Sequence, residues 1–384
     1  MKQVYFDNAA TTPIREEVIH RMMEVMRHNF GNASSTHHYG RASKALIENS
    51  RKIIASYFNV SAAEIFFTSG GTEVDNLVLR SAVRDLGVTE IITSRIEHHA
   101  ILHTLEELVR EYGISVKFVN LEADGHIDYS HLEHLIEPLK KQLVSLMYVN
   151  NEVGNTLDIK RVADLCKSHN IIFHSDSVQA IGYYKLDLKE IPLDFLAASA
   201  HKFHGPKGVG FAFIRKNSGL KPLIFGGEQE RGLRAGTESI HNIVGMGEAL
   251  KLAYDNLEAE SSYILNLKKY FIEALKLNFP DIAFNGGCED LKKSTYKLIN
   301  VRLPISPEKG ELLQFQLDLK GIACSRGSAC QSGSVQGSHV LTEILTPEQL
   351  AKPSIRFSFS KYNTKDEIDY VIEVLKEFLS VKVI

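Results

Sequence analysis

The stretch Phe195-Leu196-Ala197-Ala198-Ser199-Ala200-His201-Lys202-Phe203-His204-Gly205-Pro206-Lys207-Gly208 leads from an unbroken apolar run into a glycine–proline loop, with a lysine at the junction. An apolar run that does not alternate with polar residues suits a strand buried on both faces, as in a parallel sheet covered by helices. Similar runs flank it at Ile171–His174 and Val209–Ile214. Others lie earlier, at Ile65–Thr68, Ile91–Ser94, Val116–Val119 and Leu143–Val149. Between them apolar residues recur at helical spacing, as in Val74, Leu77, Val78 and Ser81, and near the start in Ile19, Met22, Met23 and Met26. The alternation indicates an α/β chain with a mostly parallel sheet, in which ligands collect at the carboxyl ends of the strands. A helical stretch from about Ile243 to Leu277, with a break, suggests a connection between domains near residue 255. After Tyr296 the pattern turns into a smaller α+β unit. Its strands are Tyr296–Leu303 and Ser354–Phe359, and the capping-box residues Thr364 and Glu367 open its last helix.

The 384 residues suffice for a large domain with a smaller one attached, and for a sizeable core. The net charge of −3 lacks the basic excess that nucleic acid or an acidic membrane usually demands, so neither is expected as a partner. Met1–Asp7 has no apolar signal core, and no apolar run is long enough to span a bilayer. The expected location is the cytoplasm, where Cys166, Cys288, Cys324 and Cys330 would stay reduced.

Five strand ends carry candidate chemistry. Ser69-Gly70-Gly71-Thr72-Glu73 sits between a strand and a helix, where backbone N–H groups and the Thr72 hydroxyl can cradle an anion. Taken alone, a plain strand–turn–helix junction is the better explanation, since glycine turns are common in α/β folds. His98, in Glu97-His98-His99, can stack on an aromatic ring or move protons, or simply start a helix. His99 and His103 are four apart, but no third ligand is evident and no metal site is expected. Asn151 follows the run ending at Val149. Asp176 can pair with a protonated ring nitrogen, as pyridoxal chemistry requires, or act as a helix cap. Lys202, just past a buried strand, can form an imine, with Ser199 and His201 as phosphate donors, or be a surface lysine. All five together are hard to explain as ordinary loops.

Those residues, with Tyr5–Thr12, Asn150–Gly154, Arg234-Ala235-Gly236-Thr237 and Gly327-Ser328-Ala329-Cys330, resemble the cysteine desulfurases of the NifS/IscS type, within the class-V aminotransferase family. The motifs occur in family order over nearly the whole chain. The resemblance implies a fold-type-I homodimer that binds pyridoxal 5'-phosphate. Its large domain would span 15–255, and residues 1–14 and 256–384 would form the small one. It implies that Lys202 carries the cofactor as a Schiff base and Asp176 faces the ring nitrogen. His98 would stack on the ring and serve as acid–base. Asn151 and Gln179 would approach the phenolic oxygen, while Gly71, Thr72, Ser199 and His201 hold the phosphate. Thr237 would reach the phosphate in the other subunit. Arg356 would grip the substrate carboxylate, with Asn32, and Asn151 again, on the substrate side.

The serine- and glycine-rich stretch around Cys330 suits a sulfur carrier whose thiol must move between cofactor and acceptor. The implied reaction converts L-cysteine to L-alanine and leaves a persulfide on Cys330, with Lys202 moving a proton at the substrate α-carbon. A Cys324–Cys330 bridge or metal pair is the plainer alternative, and a cytosolic setting disfavours the bridge. Cys166 reads as packing and Cys288 as a loop thiol. Some positions depart from the family pattern: Ala33 stands where proline is usual, and Phe225 and Glu228 where histidine and glycine are common. The chain stops soon after its last helix, short of the extension that docks a scaffold protein in longer relatives. The sulfur acceptor is a protein of unknown identity, serving iron–sulfur clusters, tRNA thiolation or a cofactor pathway. Selenocysteine lyase is the nearest rival on the same fold. A non-catalytic scaffold would need to have lost Lys202, Asp176 or Cys330, and all three are present.

Overall fold

The computed structural model describes residues 2–137, 139–326 and 337–380. Its strands, in chain order, are β1 (Val4–Tyr5), β2 (Ile65–Thr68), β3 (Glu90–Thr93), β4 (Ser115–Phe118), β5 (Gln142–Ser145), β6 (Ile172–Asp176), β7 (Phe195–Ser199), β8 (Gly210–Ile214), β9 (Ala283–Phe284), β10 (Leu298–Arg302), β11 (Ile322–Ala323) and β12 (Ser354–Ser358). Seven of them form one sheet in the order β2-β8-β7-β6-β5-β3-β4. Only β8 runs against its neighbours, so the carboxyl ends of β2, β3, β5, β6 and β7 share one edge.

The apolar run at Phe195 is buried on both faces because its neighbouring side chains point opposite ways. Phe195 and Ala197 pack with Val74, Leu77 and Val78 of the helix Gly71–Leu86. Leu196 and Ala198 join the larger cluster on the other face, with Phe211, Phe213, Met246 and Leu250. The helix Gly71–Leu86 ends at Gly87, whose φ of 71° is the left-handed conformation that glycine adopts without strain.

A three-stranded antiparallel sheet, β12-β10-β9, and the parallel pair β1–β11 make up a second unit. Its core gathers Val4 and Phe6 from the N-terminus with residues between Ile264 and Leu375. The long helical stretch is broken as the sequence suggests, into Ile240–Asp255 and Leu257–Asn278. The Thr364–Glu367 capping box also forms, with reciprocal bonds of 2.9 and 3.3 Å.

One expectation needs correction, and two gain a burial pattern that the sequence did not show. The helix over Ile19–Met26 exists, but it buries Val18 and Val25, while Met23 and Met26 lie exposed. The strand expected over Leu143–Val149 leaves the sheet at Ser145, because the chain must turn toward Asn150; Leu146 and Val149 stay buried without it. Cys288 lies in a turn, as expected of a loop thiol, but it is fully buried there, and its sulfur bridges the carbonyl and N–H of Asn300 at 3.4 Å.

Phe6 ties the N-terminus into the second core, with ring contacts to Phe271, Phe357 and Phe359. Phe6→Ala should lower stability by about 3–5 kcal/mol in denaturant titration. A loss under about 1 kcal/mol would mean that the N-terminal segment is not part of that core.

Candidate active site

One cavity opens at the shared strand edge. It is lined by Gly71 and Thr72 after β2, His98 after β3, Asn151 after β5, Asp176 and Gln179 at and after β6, and Ser199, His201 and Lys202 at and after β7. Arg356 of β12 and the backbone at Ala9 and Ala10 close it from the second unit. The five strand ends singled out in the sequence therefore meet in one place.

Lys202 does not point to solvent. Its amine donates to the carbonyls of Ala9 (2.7 Å) and Ala10 (2.8 Å). The same N-terminal segment clasps the lysine turn: the Thr12 N–H donates to the His201 carbonyl at 2.9 Å, and the His204 N–H donates to the Thr12 hydroxyl at 2.8 Å. Tyr183 adds an O–H bond to the Lys202 carbonyl at 2.8 Å.

Asp176 is buried at the end of β6 and accepts the Val178 N–H at 3.0 Å. Burial pushes its carboxyl up, while His98, that N–H and Lys202 pull it down. His98 caps the helix His99–Tyr112, and its Nδ1 accepts the Ala100 N–H at 3.1 Å. In the neutral ring the proton then sits on Nε2. His201 is pushed down to about 4 by burial and by Lys202 and Lys207, so its ring is a neutral hydrogen-bonding group.

At Gly71 a Cβ would stand 2.5 Å from the Val178 side chain, so glycine is needed there for the close approach of loop and strand end. Glu73 fixes this loop by accepting the Ser69 N–H at 2.8 Å and pairing with Arg234 through both oxygens, at 2.9 and 3.2 Å. Burial works against its charge, but these partners hold its carboxyl below the usual range. Gln179 donates to the Ala9 carbonyl at 2.9 Å, and its buried Oε1 has no partner.

Arg356 is nearly inaccessible. It donates to Asp7 at 2.9 Å and to the Asn151 carbonyl at 2.8 Å, and its Nε has no partner. Asn32 and Thr237 do not line the cavity and lie exposed on this chain. Phe225 is also exposed and outside the cavity. The His99 and His103 rings stack at 4.7 Å. Cys330 lies outside the described residues. Cys324 is buried, and its thiol is pushed up to about 12, chiefly by burial and then by Asp7. The sequence reading missed the carbonyls of Ala9 and Ala10, the Asp7–Arg356 pair, and a buried Asp75–His174 contact behind the cavity.

The model of the aminotransferase class-V family matches residues 4–371, and the chain belongs to that family. Among its relatives, a protein named cysteine desulfurase IscS from Dictyoglomus turgidum is 39% identical, over 98% of this chain and 95% of that one. Another of that name, from Methanosarcina thermophila, is 41% identical over 98% and 92%. Among solved structures, a NifS-like protein superposes with a TM-score of 0.90 at 35% identity, covering 99% of this chain and 100% of that one. A NifS-like protein from Rickettsia africae gives 0.86 at 31%, with the same coverage.

Enzymes of this family use pyridoxal 5'-phosphate, and the residues present fit it. They offer a buried carboxylate for the ring nitrogen, a lysine amine, an unpartnered amide oxygen, and a glycine loop with hydroxyl and imidazole donors for a phosphate.

Glu97, next to His98, gives a test of the electrostatics. Its Oε1 accepts from Ser94 at 2.7 Å and from the Met147 N–H at 3.1 Å, while burial pushes the carboxyl up to about 8. Above its ordinary value of 4.5 the unfolded chain loses this proton while the folded chain keeps it. Stability from this group is therefore complete below that value and lost as the pH rises toward 8. Glu97→Gln keeps an acceptor for both bonds and has no proton to lose. Its stability relative to the parent should rise by roughly 1 kcal/mol per pH unit over that window, and then level off. A pH-independent difference would mean that Glu97 is ionised in the fold.

Proposed function

We infer that this chain is a pyridoxal-phosphate-dependent cysteine desulfurase that converts L-cysteine to L-alanine and passes the sulfur to an acceptor. The observation that carries the reading is the meeting of Lys202, Asp176, His98 and Arg356 in one cavity, within a chain alike over almost its full length to proteins of that activity.

When bound, pyridoxal 5'-phosphate supplies a protonated ring that draws electrons away from the substrate carbon. Thr72, Ser199, His201 and the N–H groups at Gly71 would hold its phosphate, and Asp176 would keep its ring nitrogen protonated. Lys202 is the attachment point and the group that carries a proton to and from the substrate α-carbon. Its release from Ala9 and Ala10 makes the amine available for that transfer. His98 gives or takes a proton through Nε2. Arg356 pairs with the substrate carboxylate through donor capacity that Asp7 and Asn151 leave open, while those two partners keep the guanidinium in place. Asn151 would stand on the substrate side; Asn32, outside this chain's own cavity, is assigned there by its motif alone.

Cys330 attacks the substrate sulfur as a thiolate. A sulfur–sulfur bond forms on the enzyme as the carbon–sulfur bond breaks, and the electron pair left on carbon is protonated to give alanine. The assignment of Cys330 rests on its motif.

The functional unit is a homodimer in which Thr237 serves the partner's phosphate site. Its support is the exposure of Thr237 outside its own cavity, beside an Arg234 already paired to the phosphate loop. The two hydrophobic cores support a division into 15–255 against 1–14 with 256–384. A cytoplasmic location agrees with the free, buried thiols of Cys166, Cys288 and Cys324. The acceptor is a protein; its identity is not carried by any residue of the cavity.

After incubation with L-cysteine, mass spectrometry should find one added sulfur on Cys330. Cys330→Ala should keep the bound cofactor's colour and lose both the persulfide and sulfide release. Undiminished sulfide release by that variant would remove Cys330 from the reaction. Alanine formed faster from selenocysteine than from cysteine would favour the rival lyase.

A further inference from the structure

Behind the cavity two buried polar atoms face each other with no other partner. Asp75, on the helix Gly71–Leu86, lines the cavity floor and is 1% exposed. Its Oδ1 lies 3.4 Å from Nε2 of His174, which is fully buried on β6, two residues before Asp176. Both atoms lack a hydrogen-bond partner. The other ring nitrogen of His174, Nδ1, lies 3.0 Å from the Ser145 hydroxyl of β5.

Four proton arrangements can be weighed. With an ionised carboxylate and a neutral ring whose Nε2 is bare, two acceptors oppose each other in a dry interior, which is costly. An imidazolium–carboxylate pair would place two charges where burial already drives the ring down to about 3. A neutral ring protonated on Nε2 can donate to an ionised carboxylate while the Ser145 O–H donates to Nδ1, but it leaves an uncompensated charge buried beside Asp176. One proton on the carboxyl keeps both bonds without that charge: the acid O–H donates to Nε2, and Nδ1–H donates to Ser145. The surroundings favour this last state. Burial pushes the Asp75 carboxyl well upward, and the titratable groups that bear on it, the carboxyls of Asp176 on β6 and Glu97 in the loop after β3, add to that push. Burial raises the Asp176 carboxyl too, but there His98, an N–H and Lys202 work against the rise. Two carboxyls with opposed surroundings divide the labour between a neutral and a charged member.

We propose that Asp75 is a neutral acid whose proton is shared with His174, and that this pair is a positioning device that leaves Asp176 as the carboxylate presented to the cofactor ring. The proposal rests on the reading of Asp176 as the ring-nitrogen partner. It was invisible in the sequence, where Asp75 is only a polar position in a helical period.

The test has two arms on the holoenzyme. In the first, an infrared difference spectrum of wild type minus Asp75→Asn at neutral pH should show the carbonyl band of a protonated carboxyl; its absence would overturn the proposal. The second follows the cofactor's visible band. Asp75→Asn keeps a neutral donor to His174, so the band's pH midpoint and the cofactor dissociation constant should stay within about twofold of the parent's. Asp75→Leu removes the donor and should raise that constant about tenfold. A midpoint lowered by about one unit in Asp75→Asn would mean that a negative charge had been removed, and would overturn the proposal. Parent-like cofactor retention by Asp75→Leu would overturn the positioning role. A wild-type protein with no visible band would instead overturn the cofactor reading, leaving the infrared arm to judge the shared proton by itself.

Discussion

The segment Ala9–Thr12 gripping the turn around Lys202 is the contact on which the site depends. Two carbonyls hold the amine, and Thr12 locks the backbone on either side of it. The same segment is anchored from behind, because the Ala9 N–H donates to the Ser358 hydroxyl at 2.8 Å and the Asn8 amide donates to the Ser358 carbonyl at 2.9 Å. The strand β12 that carries Ser358 also carries Arg356. The spacing between the lysine and the arginine is thus set by one short stretch of chain that touches both. A change of conformation at Ala9 would move Gln179 as well, since its amide shares that carbonyl with Lys202.

The electrostatics follow from how little water reaches the strand ends. Asp176, Asp75, Glu97 and His174 are all buried within a few residues of the cavity. Charges in such a place persist only when paired. Glu97 and Asp75 are driven toward their neutral forms, and His174 and His201 toward neutral rings. Asp176 alone has cationic neighbours, which is what a partner for a protonated ring requires.

Much of this was legible in the sequence because it is local. A strand end, its loop and the next helix are contiguous, so the glycine cradle, His98, Asp176 and Lys202 could each be read in place, and their convergence follows from parallel strands sharing an edge. The illegible parts are long-range. Nothing in Asp7 announces Arg356, 349 positions away, and backbone carbonyls such as those of Ala9 and Ala10 have no side-chain signature. Periodicity found the first helix but not its buried face, since the methionines at helical spacing are largely on the outside while Val18 and Val25 pack inward. The glycines before Cys288 do mark a turn, but nothing in them shows that the chain buries that turn's thiol against β10.

The account stands on Lys202 as the cofactor's attachment point. Borohydride reduction of the purified holoenzyme, followed by digestion and peptide mass mapping, tests this directly. The account predicts a pyridoxyl phosphate group on Lys202. The same group on another lysine, or an unmodified Lys202 after the visible band has been reduced, would contradict it.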